Sequence, residues 1–281
     1  MNVVGLGSAG CAIASKFAEY PEYKIFCIDT EDKNYGDSFV KIKKQKDHEQ
    51  YEANHKSVKL KLENAPVLFI LSGAGDISGA CLRILEDLKG KKINILYIKP
   101  DETSLGAAAK LKHRLIYQVL QQYTRSAVFE NICTVDNALV EKLTKQISIT
   151  NYWDSLNELI ARTYHMINIF NNTEPLLTTF SSSPPPITAK MNTLGYVDYK
   201  SKEEKLFYDL KYPRMKMYYF AINSAELESN KELLHEIRAF IKDRKEKKVD
   251  VAFSIYSTVY EQNYIYSVHH ASLIQEENLN L

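Results

Sequence analysis

The chain has 281 residues, 45% hydrophobic and 25% charged, with 36 basic against 35 acidic side chains and a formal net charge of +1. That length accommodates two modest domains with cores of their own, and the near-neutral balance removes any broad electrostatic case for nucleic acid or an acidic membrane surface as partner. No stretch reaches the roughly 18 uninterrupted apolar residues of a membrane span, and Met1 leads straight into a strand-like segment, so no signal peptide is expected. The four cysteines, Cys11, Cys27, Cys81 and Cys133, form no CxxC pair and read as buried reduced thiols, which fits a cytoplasmic protein.

Residues 2–6 are expected to form a strand, 5–10 a turn and 11–19 a helix, before a strand over 24–28 that ends at Asp29. The turn Gly5-Leu6-Gly7-Ser8-Ala9-Gly10 has GxGxxG spacing, and Asp29 stands about where a dinucleotide-binding fold keeps its ribose carboxylate. A nicotinamide or flavin enzyme is one reading of this unit. Residues 31–64 are charged and weakly periodic, with a strand-like 38–42 and a lysine run (Lys41, Lys43, Lys44, Lys46), and are expected to be solvated loops. Residues 67–100 then read as apolar run, glycine loop, helix and second apolar run. The loop holds Gly73, Gly75 and Gly79, and Cys81, Leu82, Leu85 and Leu88 follow at helical spacing. A right-handed crossover makes the two strands parallel. Glycines let backbone N–H groups approach a ligand closely, and the following helix N-terminus adds partial positive charge, so the loop suits a phosphate.

Helices are expected over 104–124 and 138–146, on either side of a strand over 127–135 that ends at Asp136-Asn137. A long helix over 149–171 carries Leu156, Leu159, Ile160, Tyr164, Ile167 and Phe170 as an apolar stripe. Pro184, Pro185 and Pro186 cannot continue a helix, so a domain boundary is placed around 172–187. Beyond it, strands over 215–223, 249–257 and 264–272 with an amphipathic helix over 228–245 make a small α/β unit. In the last strand Tyr264, Tyr266 and Val268 alternate with polar neighbours, which implies a half-exposed sheet. His269 and His270 point to opposite faces of that strand and cannot share a metal.

Two glycine loops in this order, with a long helix and a small sheet unit after them, resemble the tubulin/FtsZ superfamily over nearly the whole chain. Gly5 to Gly10 looks like FtsZ's first nucleotide loop. Gly73-Ala74-Gly75-Asp76-Ile77-Ser78-Gly79 aligns without gaps on the signature GGGTG[ST]G. Ile147-Ser148, Trp153 and Asn157-Glu158-Leu159 resemble the start of the central helix, ISxxxxFxxxNDVL. Residues 217–223, 236–240 and 249–256 resemble the C-terminal domain. The resemblance implies an α/β fold with a parallel-sheet, Rossmann-like GTPase domain over 1–148 and a central helix over 149–171. A catalytic-type loop and linker over 172–188, a smaller α/β domain over 189–275 and a frayed tail over 276–281 complete it. It implies GTP or GDP as ligand and a head-to-tail homopolymer, a cytoskeletal filament, as assembly. The N–H groups of Gly7, Ser8, Ala9, Gly10 and Cys11, with those of residues 73–79, would hold the phosphates, and Ser78 could add a hydroxyl donor. Trp153 would stack on the base, and Asp136 and Asn157 would read guanine from exchanged positions.

The chain departs from that pattern in three places. The signature threonine is Asp76, with Ile77 replacing a glycine. A carboxylate about 4 Å from a phosphate charge costs roughly 1–4 kcal/mol per pair, so a bound Mg²⁺ offsets it, the side chain turns away, or the site no longer takes a triphosphate. FtsZ's γ-phosphate loop has no recognisable counterpart in 43–64. The family's arginine and ribose-contacting glutamate fall at Ala109 and Leu105, with Lys110, Asp101 and Glu102 close by. At the catalytic loop the two family aspartates fall on Thr179 and Ser182, leaving Glu174 as the nearby carboxylate. Hydroxyls do not act as general bases at neutral pH without an activating group, so GTPase activity is expected to be slow or absent. The alternative reading is a structural or regulatory homologue that no longer binds nucleotide.

Overall fold

The computed structural model describes residues 1–33, 35, 38–144, 148–182 and 184–275. The expected helix end at Gln146, the Ile147 of the central-helix resemblance, Ser183 and the 276–281 tail lie outside the described residues. By its internal contacts the chain divides into two units, Met1–Arg162 with the segment resuming at Ile274, and Thr163–Leu273. The division falls inside the long helix, which the sequence reading set apart as a segment of its own. No helix among the described residues is long and apolar enough to cross a membrane.

The first unit contains β1 (Asn2–Leu6), α1 (Gly7–Lys16), β2 (Lys24–Asp29), β3 (Phe39–Lys41), α2 (His48–Ala53), β4 (Val67–Leu71) and α3 (Cys81–Asp87). It continues with β5 (Ile93–Lys99), α4 (Ala107–Arg125), β6 (Asn131–Asp136), α5 (Asn137–Leu143) and the start of α6 (Tyr152–Asn171). Its strands pair in the order β3-β2-β1-β4-β5-β6, every pair parallel. β1 (Asn-Val-Val-Gly-Leu) and β4 (Val-Leu-Phe-Ile-Leu) are buried along their whole length, as strands covered on both faces must be. All four cysteines are buried and none forms a disulfide. Chain order runs outward from β1 to β3 on one side and from β4 to β6 on the other. The junction of β1 and β4 is therefore the point where open α/β sheets leave a crevice beyond their carboxyl ends.

Two local expectations are corrected here. Residues 48–53 form α2 within the stretch expected to be solvated loop. Asp47 caps it by accepting from the Gln50 N–H at 3.0 Å, and Tyr51 anchors it at 6% exposure. The first helix also begins at Gly7 rather than at residue 11, so the glycine turn is itself the first helical turn.

The second unit contains β7 (Leu177–Thr178), β8 (Met191–Val197), β9 (Glu204–Leu206), β10 (Pro213–Asn223), α7 (Ser224–Ser229), α8 (Leu233–Asp243), β11 (Asp250–Thr258) and β12 (Tyr264–Ala271). Strand order is β8-β12-β10-β11-β7, with β9 paired to β8 and only β10–β11 parallel among these pairs. Leu233, Ile237, Phe240 and Ile241 of α8 pack on Tyr218, Phe220, Phe253, Ile255 and Ile265 of the sheet. Phe170 at the end of α6 packs on Tyr256 at a centroid distance of 4.5 Å.

The half-exposed sheet expected for β12 is overturned. That strand lies between β8 and β10, and its polar Ser267 and His269 are buried with Ile265 and Val268. His269 meets a carboxylate, Glu204 Oε1, at 2.9 Å. His270, on the other face, is pushed down to about 4, mainly by burial and only partly opposed by a backbone hydrogen bond with Ala189. The unfolded chain takes up this proton as pH falls through 6.5, whereas the folded chain resists until about 4. Stability from this site is therefore intact above pH 6.5 and falls between pH 6.5 and 4, by about 3 kcal/mol at most. Denaturant titrations across that range are expected to show the slope, and His270→Gln to reduce it.

Candidate functional site

The site is built outward from the β1–β4 junction. Gly5 on β1 pairs with Ile70 on β4, and α1 follows β1 without a linker. A Cβ on Gly10 would stand 2.3 Å from the Ile70 carbonyl oxygen, so only glycine lets α1 lie this close to β4. Gly7 has φ of +69°, and a Cβ there would meet Ile77 Cγ2 at 2.8 Å. That contact also joins the two glycine loops, because Ile77 belongs to the second one. α1 has neither a side-chain cap at Leu6 nor an acidic residue in its first turn, so its leading N–H groups retain their attraction for an anion.

Ser8 and Ala9 are exposed at this turn. Ser8 Oγ donates to Asp29 Oδ2 at 3.2 Å and accepts from Lys33 Nζ at 3.0 Å. Asp29 also accepts from the Thr30 N–H at 2.7 Å and is only 5% exposed, so its carboxylate is engaged in positioning the first turn.

The second loop runs from Gly73 into a short 3-10 turn, Asp76–Ala80, and then α3. Ser78 is fully buried, with Oγ 2.9 Å from the Gly73 carbonyl and 2.7 Å from that of Gly75. Its hydroxyl proton thus serves the loop's own carbonyls. A Cβ on Gly73 would meet Tyr97 Oη at 2.4 Å and His113 Cα at 3.1 Å, and one on Gly79 would meet the His48 carbonyl at 2.1 Å. α4 and α2 are therefore packed against the two ends of the loop. Asp76 Oδ1 lies 2.5 Å from Lys112 Nζ on α4. Sequence reasoning left Lys33, His48 and Lys112 without a role. Lys112 is 36 positions from its partner, which no local periodicity reports.

Asp136 ends β6, and Oδ1 accepts from the Ala138 N–H at 2.9 Å while Oδ2 lies 3.2 Å from Lys99 Nζ. Trp153 is 62% exposed and Asn157 is partly buried. Lys16 Nζ to Asp154 Oδ1, at 2.5 Å, ties the start of α6 to the end of α1. Tyr152, at the same end of α6, is pushed up to about 12, mainly by burial and further by the nearby Glu141 carboxylate.

Neither a protein-family model nor a curated protein matches the chain. Solved structures do. An empty FtsZ dimer from M. jannaschii aligns with TM-score 0.67 and 11% identity, over 96% of this chain and 87% of that one. TubZ of Bacillus thuringiensis serovar israelensis, in GDP-form protofilaments, aligns with TM-score 0.69 and 14% identity, over 96% and 86%. A TubZ described as a type III plasmid segregation protein gives 0.66 and 14%, over 98% and 88%. The chain has the FtsZ/TubZ fold.

In this FtsZ/TubZ-like chain the rim offers features that suit a phosphate: the uncapped N–H groups of α1, an open backbone at Gly75, and Lys33 and Lys112 beside the two loops. Among the described residues no cluster of three His, Cys, Asp or Glu side chains is placed to hold a metal ion. The candidate catalytic positions lie in the second unit. Thr179 Oγ1 accepts from the Phe253 N–H at 2.9 Å and lies 3.2 Å from the Phe253 carbonyl, and Ser182 Oγ donates to the Thr179 carbonyl at 2.9 Å. Glu174 is exposed on the loop before them.

Proposed function

We propose that this protein binds a guanine nucleotide at the β1–β4 rim, assembles head to tail into filaments, and hydrolyses GTP slowly or not at all. The observation that carries the binding part is the meeting of the two glycine loops at Gly7 and Ile77, directly beyond the switch point of the sheet. The first loop would hold phosphates through the N–H groups of Gly7 to Cys11, and the second through those of Gly73 to Gly79. Trp153, Asp136 and Asn157 would sit on the base side, and Mg²⁺ would accompany the phosphates. The assembly part is supported by likeness to TubZ structures that are themselves protofilaments in GDP and GTPγS forms. In such a filament the 172–188 loop of one copy would meet the nucleotide of the next, a heterologous contact that propagates. With Thr179 and Ser182 tied to backbone groups, Glu174 is the remaining carboxylate to polarise water there.

Titration with GTP, GDP and ATP is expected to show guanine-selective binding, and light scattering with GTP to show assembly, with little phosphate released. Gly75 offers a sharper test of the cradle. A Cβ there would find only Ile77 Cγ2, at 3.9 Å, and its φ of −81° suits any residue. Gly75→Ala should fold normally, within about 2 °C of wild type in Tm. It should nevertheless weaken GTP at least tenfold, because the methyl group stands where backbone meets phosphate. Equal affinity in wild type and Gly75→Ala would count against the proposed cradle. An absence of nucleotide binding in wild type would favour the structural or regulatory reading, for which Asp76 in the loop is the specific observation.

A further inference from the structure

The second loop carries an acid where a phosphate is to be held, and the fold supplies a cation for it. Lys112 Nζ stands 2.5 Å from Asp76 Oδ1, with the carboxylate side chain 47% exposed and the lysine 23%. The lysine's position is set from beneath. Its neighbour His113 is wholly buried, backs onto Gly73 and lies with Nδ1 2.5 Å from Tyr97 Oη. The helix bearing Lys112 is therefore wedged against the loop bearing Asp76. An ammonium has three N–H donors and Asp76 engages one of them, which leaves two for an oxygen ligand.

Resting on the nucleotide-binding reading above, we propose that Lys112 is shared between Asp76 and the phosphates of the bound nucleotide. Asp76 then acts as an internal competitor that sets affinity for a nucleoside polyphosphate. In the free protein the pair makes the loop electrically neutral. On binding, the lysine turns from carboxylate to phosphate, and Asp76 weakens the complex by holding it back. The sign of the Asp76 effect is the distinctive consequence: a residue inside the binding loop whose removal strengthens binding.

The test is GTP, GDP and inorganic pyrophosphate binding by calorimetry to the full chain and to Asp76→Asn, Lys112→Met, Lys112→Arg and the Asp76→Asn/Lys112→Met double variant. Asp76→Asn is expected to bind GTP about tenfold more tightly. Lys112→Met should bind at least tenfold more weakly with a flatter salt dependence, Lys112→Arg near wild type, and the double variant between the two single ones. Both positions are partly exposed, so thermal melts are expected to superimpose on wild type, which separates the effect from a fold defect. Lys112→Met binding like wild type, or Asp76→Asn binding more weakly, overturns the proposal; the latter makes Asp76 a ligand on the nucleotide or metal side. If wild type binds and the variants match it, this inference alone falls. If neither wild type nor any variant binds GTP, GDP or pyrophosphate, the nucleotide reading falls and takes the inference with it.

Discussion

Gly10→Ala is expected to destabilise the first unit by about 3 kcal/mol, lowering Tm by on the order of 10 °C, and to remove nucleotide binding with it. The new methyl would lie 2.3 Å from the Ile70 oxygen and 3.2 Å from its carbonyl carbon. Both belong to the backbone of β4, a fully buried central strand between β1 and β5, so neither can move aside. Alanine's better helix propensity returns about 1 kcal/mol at most, too little to offset a backbone overlap. α1 must then lift from β4, which displaces the N–H groups of its first turn and separates Gly7 from Ile77. Thermal melts and nucleotide titration of Gly10→Ala beside Gly75→Ala make the comparison. One glycine is required by packing, the other only by a ligand. A Gly10→Ala protein that melts like wild type would mean that α1 does not rest on β4 as described.

The parallel sheet of the first unit was legible because its strands are uninterrupted apolar runs, such as Val67 to Leu71 and Ile93 to Ile98, separated by glycine loops that strands and helices do not tolerate internally. The meeting of the two loops was legible too, since adjacent parallel strands deliver their carboxyl ends to one rim. What escaped the sequence depends on long-range contact. α2 hides in a charged stretch because Tyr51 and a cap at Asp47 hold it in place, with no apolar stripe to announce it. β8 was not anticipated, since Asn192, Thr193 and Gly195 dilute its pattern, although all three are buried. The inward turn of the Ser78 hydroxyl follows from its complete burial, where a donor must find an acceptor at once. Lys112 was passed over in favour of Lys110 because register along a helix does not tell which cation reaches a loop 36 residues upstream.

Glu204→Ala carries the largest effect expected in the second unit. Glu204 on β9 lies 2.9 Å from His269 Nε2 through Oε1 and accepts from Tyr218 Oη at 3.1 Å through Oε2. The Glu204 and His269 side chains are 18% and 5% exposed. Burial alone would raise this carboxyl, but hydrogen bonding and the charge of His269, joined by the Tyr218 hydroxyl, hold it below its ordinary value. Removing it leaves a buried imidazole and a buried phenol without their acceptor, a change worth about 3 kcal/mol. Glu204→Gln keeps an acceptor for Tyr218 and should lose roughly half as much. Because the folded carboxyl is more acidic than the unfolded one, its contribution is present above the ordinary glutamate range and is lost as pH falls through the depressed folded value. Denaturant melts of wild type and Glu204→Ala should therefore lie far apart at pH 7 and draw together in acid. A gap that stays constant down to pH 3 would show that shape, and not charge, is what Glu204 supplies between β9 and β12.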